Sequence, residues 1–412
     1  MKKIFGFMMM LSALLLTGCN FLPDLQPSTQ EVDYLNFIEI STVDELKNIE
    51  MNKSYQLIAD IDLGGEEWIP IGTLSQPFLG HFNGNNHTIS NFVITENHSF
   101  NGLFGYLEGD VYNLNIIGFD FQISDDFIIN AGGLAGMSLG SIHHVSVDGQ
   151  MTLSANGFNV YAGLLIGNQQ KLAQKTIVSG EFKPNEVYLN QASGTIKVLD
   201  SEIAYVGGLL GKSHNTKTYQ NEVLDTSISV ISQVSSLVGG LIGQQFLYGF
   251  EQENPSLSID YLLVYENIVD ISFDFDETDV LSLGGLIGYS QNTDVSNNFV
   301  RLNTQLTGGE YLMGTLVGDY WLKVASDNLV YIESMNIDDD TLGVSGSIVG
   351  NIQESQEDDF SSYIVASSSI MFDDNLANLI TLSQATNIDF YQSNYPNLQD
   401  TFIDRLMEIL FE

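Results

Sequence analysis

The sequence holds one cysteine, Cys19, in 412 residues, so no internal disulfide can form and stability must come from packing and repetition. Basic residues are scarce too. Thirteen lysines and arginines face 52 aspartates and glutamates, for a formal charge of −39, and Arg301 and Arg405 are the only arginines. A protein that grips phosphate backbones needs clustered Lys and Arg, so nucleic acid is excluded as a partner, and anionic polysaccharides and acidic lipid surfaces are disfavoured. Beyond residue 16 no long apolar run occurs, because each is interrupted by Gly, Ser or Asp; a second membrane span is therefore not expected. No twelve-residue EF-hand loop, nonapeptide Asp-Gly repeat or HExxH is present.

What the chain has instead is a leader and a repeat. Lys2 and Lys3 precede an apolar core from Ile4 to Leu16, the pattern of an export signal too short to span a membrane. The tetrad Leu16-Thr17-Gly18-Cys19 resembles the bacterial lipobox. That resemblance implies cleavage after residue 18 and lipidation of Cys19, and loss of two lysines would move the formal charge from −39 to −41. Residues 19–40, with Pro23 and Pro27, read as a lipidated tether.

A six-residue motif ending in glycine then recurs: FNGLFG, AGGLAG, AGLLIG, VGGLLG, VGGLIG, LGGLIG, MGTLVG and SGSIVG, with final glycines at 105, 136, 167, 211, 243, 288, 318 and 350. The intervals are 31, 31, 44, 32, 45, 30 and 32 residues. The two long ones mark insertions, which the spacing assigns to Lys171–Glu202 and Phe246–Leu257. Such a period predicts a parallel β-solenoid of about nine coils. The apolar residue next to the closing step (Leu103, Leu134, Leu165, Leu209, Leu241, Leu286, Leu316, Ile348) should point inward. A second strand in each coil opens on a polar residue (Asn113, His144, Thr176, Asn221, Asp260, Asn298, Asn328) expected to form a ladder between coils. The expected fold is thus all-β: a β-helix with short helical caps at both ends. Residues 41–99 form the entry cap and first coils, 100–370 the repeats, and 371–412 a C-terminal cap. Within these caps Thr42 and Glu45 make a capping-box pattern, and Asp400–Glu412 reads as an amphipathic helix.

The GGLxG copies resemble the GLUG motif of bacterial surface and adhesin-like proteins. The stretch from Ser41 through Ile94 resembles the module that often precedes such repeats. The resemblance covers roughly Ser41–Gly350 and implies architecture more than activity; the zinc-protease motif carried by some GLUG-bearing proteases is absent. Together these features predict a monomeric, non-catalytic protein, lipid-anchored at the bacterial cell surface and binding a host or neighbouring-cell protein or glycan. The alternatives are a carbohydrate-active β-helix enzyme and a purely structural envelope protein.

Several candidate sites compete with structural roles. His143 and His144, adjacent on a strand, should face opposite ways and so not chelate one metal, with His144 on the ladder. No cofactor is expected. Asp274, Asp276 and Asp279 are the best calcium candidates, while Asp338–Asp340 and Glu357–Asp359 read as solvated loops. Arg301 and Lys323 are the chief candidates for a lyase base. Tyr106, Tyr289 and Tyr320, which follow motif glycines, would serve either as wall packing or as an aromatic contact stripe.

Overall fold

The fold is seen in a computed structural model that describes residues 32–411 except 172–176, 179–180, 183, 247–261, 277–279, 292, 322–324, 339–341, 354–361, 367–371, 373–376, 396–397 and 399. It is the expected parallel β-solenoid. Among the described residues three parallel sheets run along it: sheet 1 with 19 strands, and sheets 2 and 3 with eight each. The coil from Ser235 to Asp276 shows the path. Ser235–Gly239 lies in sheet 3, the chain bends at Gly240-Leu241, and Ile242–Phe246 follows in sheet 2. Leu262–Tyr265 and Ile268–Asp276 then cross sheet 1. Equivalent residues stack in register, Val238 on Leu283 and Val269 on Val300, so each buried position repeats from coil to coil.

The glycine motif makes the bend between sheets 3 and 2. All eight inward-pointing residues named above are 0% exposed. Glycine is required there by close approach. A Cβ on Gly240 would lie 2.1 Å from the Gly285 carbonyl oxygen of the next coil, and one on Gly243 would lie 2.5 Å from the Val206 nitrogen of sheet 3. Sheets 2 and 3 therefore meet backbone to backbone, and an aliphatic and aromatic core fills the space between them and sheet 1.

The second recurrent feature is a left-handed corner between the two sheet 1 segments. Asn113, His144, Leu189, Gln220, Glu266, Asn297 and Asp327 have φ between 54° and 56°. One residue later comes the polar ladder, formed by Asn190, Asn221, Asn267, Asn298 and Asn328, each at most 2% exposed. From Asn221 onward each side-chain oxygen accepts from the backbone N–H and the Nδ2 of the preceding ladder asparagine: Asn221 to Asn267 at 3.0 and 3.0 Å, Asn267 to Asn298 at 3.1 and 2.9 Å. Val145 N–H begins the row and Ser362 Oγ ends it. Asn221, Asn298 and Asn328 take the place expected of them. Asn113 and His144 do not: they occupy the corner itself, and Leu114 and Val145 stand at the ladder position. Thr176 and Asp260 lie outside the described residues, and the members in those coils are Asn190 and Asn267.

Equal spacing from the glycine misplaced these, because the extra residues enter between sheet 2 and sheet 1. For the same reason the first insertion is shorter than Lys171–Glu202, since Asn185–Tyr188 and Gln191–Asp200 are regular strands of sheet 1. Before them, Ile177–Val178 pairs antiparallel with Glu181–Phe182. Of the second insertion, Phe246 closes a sheet 2 strand and the rest lies outside the described residues.

At the entry, helix α1 (Val43–Lys47) carries the complete capping box, with Glu45 N–H donating to Thr42 Oγ1. Pairing starts earlier than the tether boundary at residue 40 suggests: Asp33–Ile40 already lies parallel to Lys53–Leu57. At the far end α2 (Leu382–Ala385), α3 (Ile388–Asn394) and α4 (Asp400–Phe411) follow. They do more than close an end. Ile403, Leu406 and Ile409 of α4, with Tyr391 and Tyr395, pack on Ile268, Phe299 and Leu329 along the outer face of sheet 1, a second core outside the solenoid. Among the described residues no helix is long and apolar enough to cross a membrane.

Candidate functional site

The outer face of sheet 1 gathers the polar and aromatic chemistry. One row across the coils runs Asn115, Ser146, Gln191, Glu222, Ile268, Phe299, Leu329 and Tyr363. It changes from polar to apolar after Glu222, where the C-terminal helices begin to cover it. Arg405 of α4 stands at the change, its Nε and Nη2 donating to the two Glu222 oxygens at 3.1 and 3.2 Å and its Nη1 to Glu408 at 2.7 Å. Two hollows flank this ion pair.

The smaller, about 230 Å³, is lined among others by His144, Ser146, Gln191, Gln220 and Glu222. Beside it runs an aromatic stack that includes Tyr112, His143, Tyr188, Tyr219 and Tyr265, with successive ring centroids 5.1, 4.8, 4.9 and 4.9 Å apart and planes within 20° of parallel. In register the row continues to Asn83 on one side and Ser296 on the other. The rings are half-buried. Because their faces lie against one another, they offer mainly edges and polar atoms outward. Burial raises the Tyr188 hydroxyl above the usual phenol value, helped by Glu186 and Asp110, so it stays a protonated donor. Burial lowers the His143 imidazole, and His144 lowers it further.

The two histidines touch, Nδ1 to Nδ1 at 2.9 Å, with rings at 82°. The expectation that they diverge fails because the left-handed φ of His144 breaks strand alternation. One nitrogen must donate and the other accept, so both cannot carry a proton at Nδ1.

The larger hollow, about 550 Å³, lies between α4 and sheet 1. Both arginines of the chain line it, together with Asp225, Asp270, Ser272 and Glu333. Arg301 joins two carboxylates: Nη2 is 3.0 Å from Glu333 and Nη1 is 3.6 Å from Asp270. Burial pushes the Asp270 carboxyl up; Arg301 opposes this, while Asp225 and Glu333 add to it. The Glu333 hydrogen bond raises the Arg301 guanidinium above its already high value, which holds it protonated. Lys323, the other basic candidate, lies outside the described residues.

The remaining expectations scatter. Cys19 and the lipobox residues Leu16, Thr17 and Gly18 lie outside the described residues, as does Asp279. Asp274 and Asp276 are exposed on one strand, where Asp276 accepts from Thr307 Oγ1 at 3.0 Å. Among the described residues no three His, Cys, Asp or Glu side chains gather as a metal site. Tyr106 and Tyr289 are interior, 2% and 5% exposed, so they form no contact stripe; the Tyr320 side chain is outside the described set. The stack that does reach the surface was readable as the tripeptide Tyr-x-Asn, at Tyr188, Tyr219 and Tyr265, two residues before a ladder asparagine.

No family model matches the chain. Over 133 residues it is 36% identical to the "Putative Gly-rich membrane protein" of Evansella cellulosilytica, which covers 29% of this chain and 15% of that protein's length. The chain thus corresponds to a small part of that relative. Among solved structures it is similar to the "putative immunoglobulin A1 protease" of Bacteroides ovatus, with 16% identity, a TM-score of 0.37, and coverage of 89% of this chain and 91% of that one. A likeness of that size gives the protease name no bearing on this chain.

Proposed function

We propose that this chain is a GLUG-type surface lipoprotein, exported and anchored through Cys19, that works without catalysis by binding a protein or glycan on the outer face of sheet 1. The observation that carries the reading is the strip on that face, where the aromatic stack and two polar hollows lie on a scaffold fixed by coil stacking. A rigid platform with repeated polar and aromatic groups suits an extended partner, since each coil offers the same kind of contact about 4.8 Å further on. The name of the Evansella relative, a membrane protein, agrees with an envelope address.

Two experiments test this. Cys19→Ala should abolish incorporation of labelled palmitate and release the chain from the membrane fraction; unchanged fractionation would refute the anchor. Cells displaying the full chain should bind on a glycan or host-protein array, and a Tyr188→Ala/Tyr219→Ala double variant should bind at least tenfold less. Equal binding by both would refute the face.

A second reading is favoured by one observation. Asp270 is a carboxyl of raised pKa near Asp225 and Glu333 in a groove, as a glycoside hydrolase requires of its acid. A guanidinium occupies the space between Asp270 and Glu333, where substrate and water would have to enter, and for that reason binding is preferred. Release of reducing sugar from a polysaccharide, lost in Asp270→Asn, would reverse the preference.

A further inference from the structure

We infer that the groove beneath α4 is a saccharide subsite that selects uncharged, polyhydroxylated ligands. This rests on reading the sheet 1 face as a binding surface, and it narrows the ligand.

Three observations lead there. First, the groove presents planar charged groups from neighbouring coils: Asp225, Asp270, Arg301 and Glu333 lie on four successive strands of sheet 1. The coil spacing is close to the length of one pyranose ring, so consecutive sugars of a chain would meet consecutive coils. Second, the groups alternate in function. The carboxylates accept, and the guanidinium between two of them donates; Arg301 Nε is buried with no hydrogen-bond partner among the described residues. Vicinal hydroxyls are the groups that donate to one neighbour while accepting from the next. Third, the charges select against ions. Three carboxylates around Arg301 repel an anion, and Arg405 is already engaged by Glu222 and Glu408. A cationic ligand would have to displace or crowd Arg301 from both of its carboxylates. A neutral polyol takes hydrogen bonds from this network and leaves every ion pair intact. The volume, about 550 Å³, is within the range of small-molecule sites.

The test is a glycan array of neutral, uronic-acid-containing and amino-sugar oligosaccharides probed with the full chain. Binding confined to neutral glycans, weakened at least tenfold by Asp270→Asn and by Ser272→Trp, supports the subsite. Ser272 is exposed, so the indole obstructs the groove without disturbing an ion pair or the core, which guards against loss of folding in the Asp270 variant. Preference for acidic or amino sugars, or neutral binding unaffected by Ser272→Trp, overturns it. Protein or glycan binding that needs Tyr188 and Tyr219 but ignores Ser272 would overturn the subsite and leave the face; absence of binding on both the glycan and the host-protein array would remove both.

Discussion

Replacing Asn267 by leucine should break the solenoid in its middle, and the structure gives the size. The Asn267 side chain is fully buried and meets two coils at once. Its oxygen accepts from Asn221 N–H and Nδ2, and its Nδ2 reaches Asn298 Oδ1 at 2.9 Å and the carbonyls of Thr218 and Tyr265 at 3.1 Å each. Leucine keeps the same branched skeleton, with somewhat bulkier methyl ends, and offers none of these partners. The Asn221 backbone N–H is then buried without an acceptor, whereas Asn221 Nδ2 keeps Val187 and Tyr219. One orphaned N–H costs about 1–3 kcal/mol, and the lost bonds to carbonyls about 0.5–1.5 kcal/mol each. A total of about 3–5 kcal/mol follows, or a urea midpoint lower by roughly 1–2 M. The assay is urea unfolding followed by far-UV circular dichroism, with Ser272→Ala on the outer face as the control. Asn267→Ala should cost slightly more, by the void it leaves. If Asn267→Leu shifts the midpoint no more than the control, the ladder is only an ordered row and the reasoning fails.

Three other outcomes follow from single contacts. Gly240→Ala should destabilise by about 1–3 kcal/mol or prevent folding, because the new Cβ meets backbone at 2.1 Å; Gly64→Ala, in open space at φ 70°, should cost only about 1–2 kcal/mol, and equal thermal shifts would refute the close-approach argument. His143 resists protonation in the folded chain, so below about pH 6.5 the unfolded chain binds the extra proton and stability falls as pH drops. His143→Phe should flatten that part of the melting-temperature profile between about pH 7 and 5, and an unchanged slope would show that His143 titrates normally in the fold. Removing α4 should expose part of the Ile268, Phe299 and Leu329 row and raise anilinonaphthalene sulfonate fluorescence while the β-sheet dichroism persists; no added fluorescence would mean the helix covers nothing.

The glycine period was legible because it records a steric fact. A Cβ at Gly240 or Gly285 collides with the next coil, so the residue type repeats wherever the bend repeats. The site was much less so. Tyr188, Tyr219 and Tyr265 are 31 and 46 residues apart, because an insertion of unequal length precedes the third, and only the stacked register makes them neighbours. The corner was hidden for another reason. Leu189, Gln220 and Glu266 all adopt the left-handed conformation although none is a residue that favours it, so no local propensity marks the position. Tertiary register imposes it, and the His143–His144 contact and the one-residue displacement of the ladder both follow.

The same corner explains why one edge of sheet 1 carries the candidate site. A left-handed residue costs about 1–2 kcal/mol, yet it recurs in seven coils. In five of them what offsets it is the asparagine that follows, turned inward by the reversed alternation and bonded to the coils on both sides. The same reversal sends the residue before the corner outward, and there Tyr112, His143, Tyr188, Tyr219 and Tyr265 stack. Ladder and stack are therefore two consequences of one backbone conformation. Perturbing the ladder at Asn221 should loosen the Tyr188–Tyr219–Tyr265 stack even though no tyrosine is changed. A near-UV dichroism loss in Asn221→Leu at urea concentrations where the far-UV signal is intact would show this coupling, whereas coincident loss of both signals would mean the stack stands on its own packing.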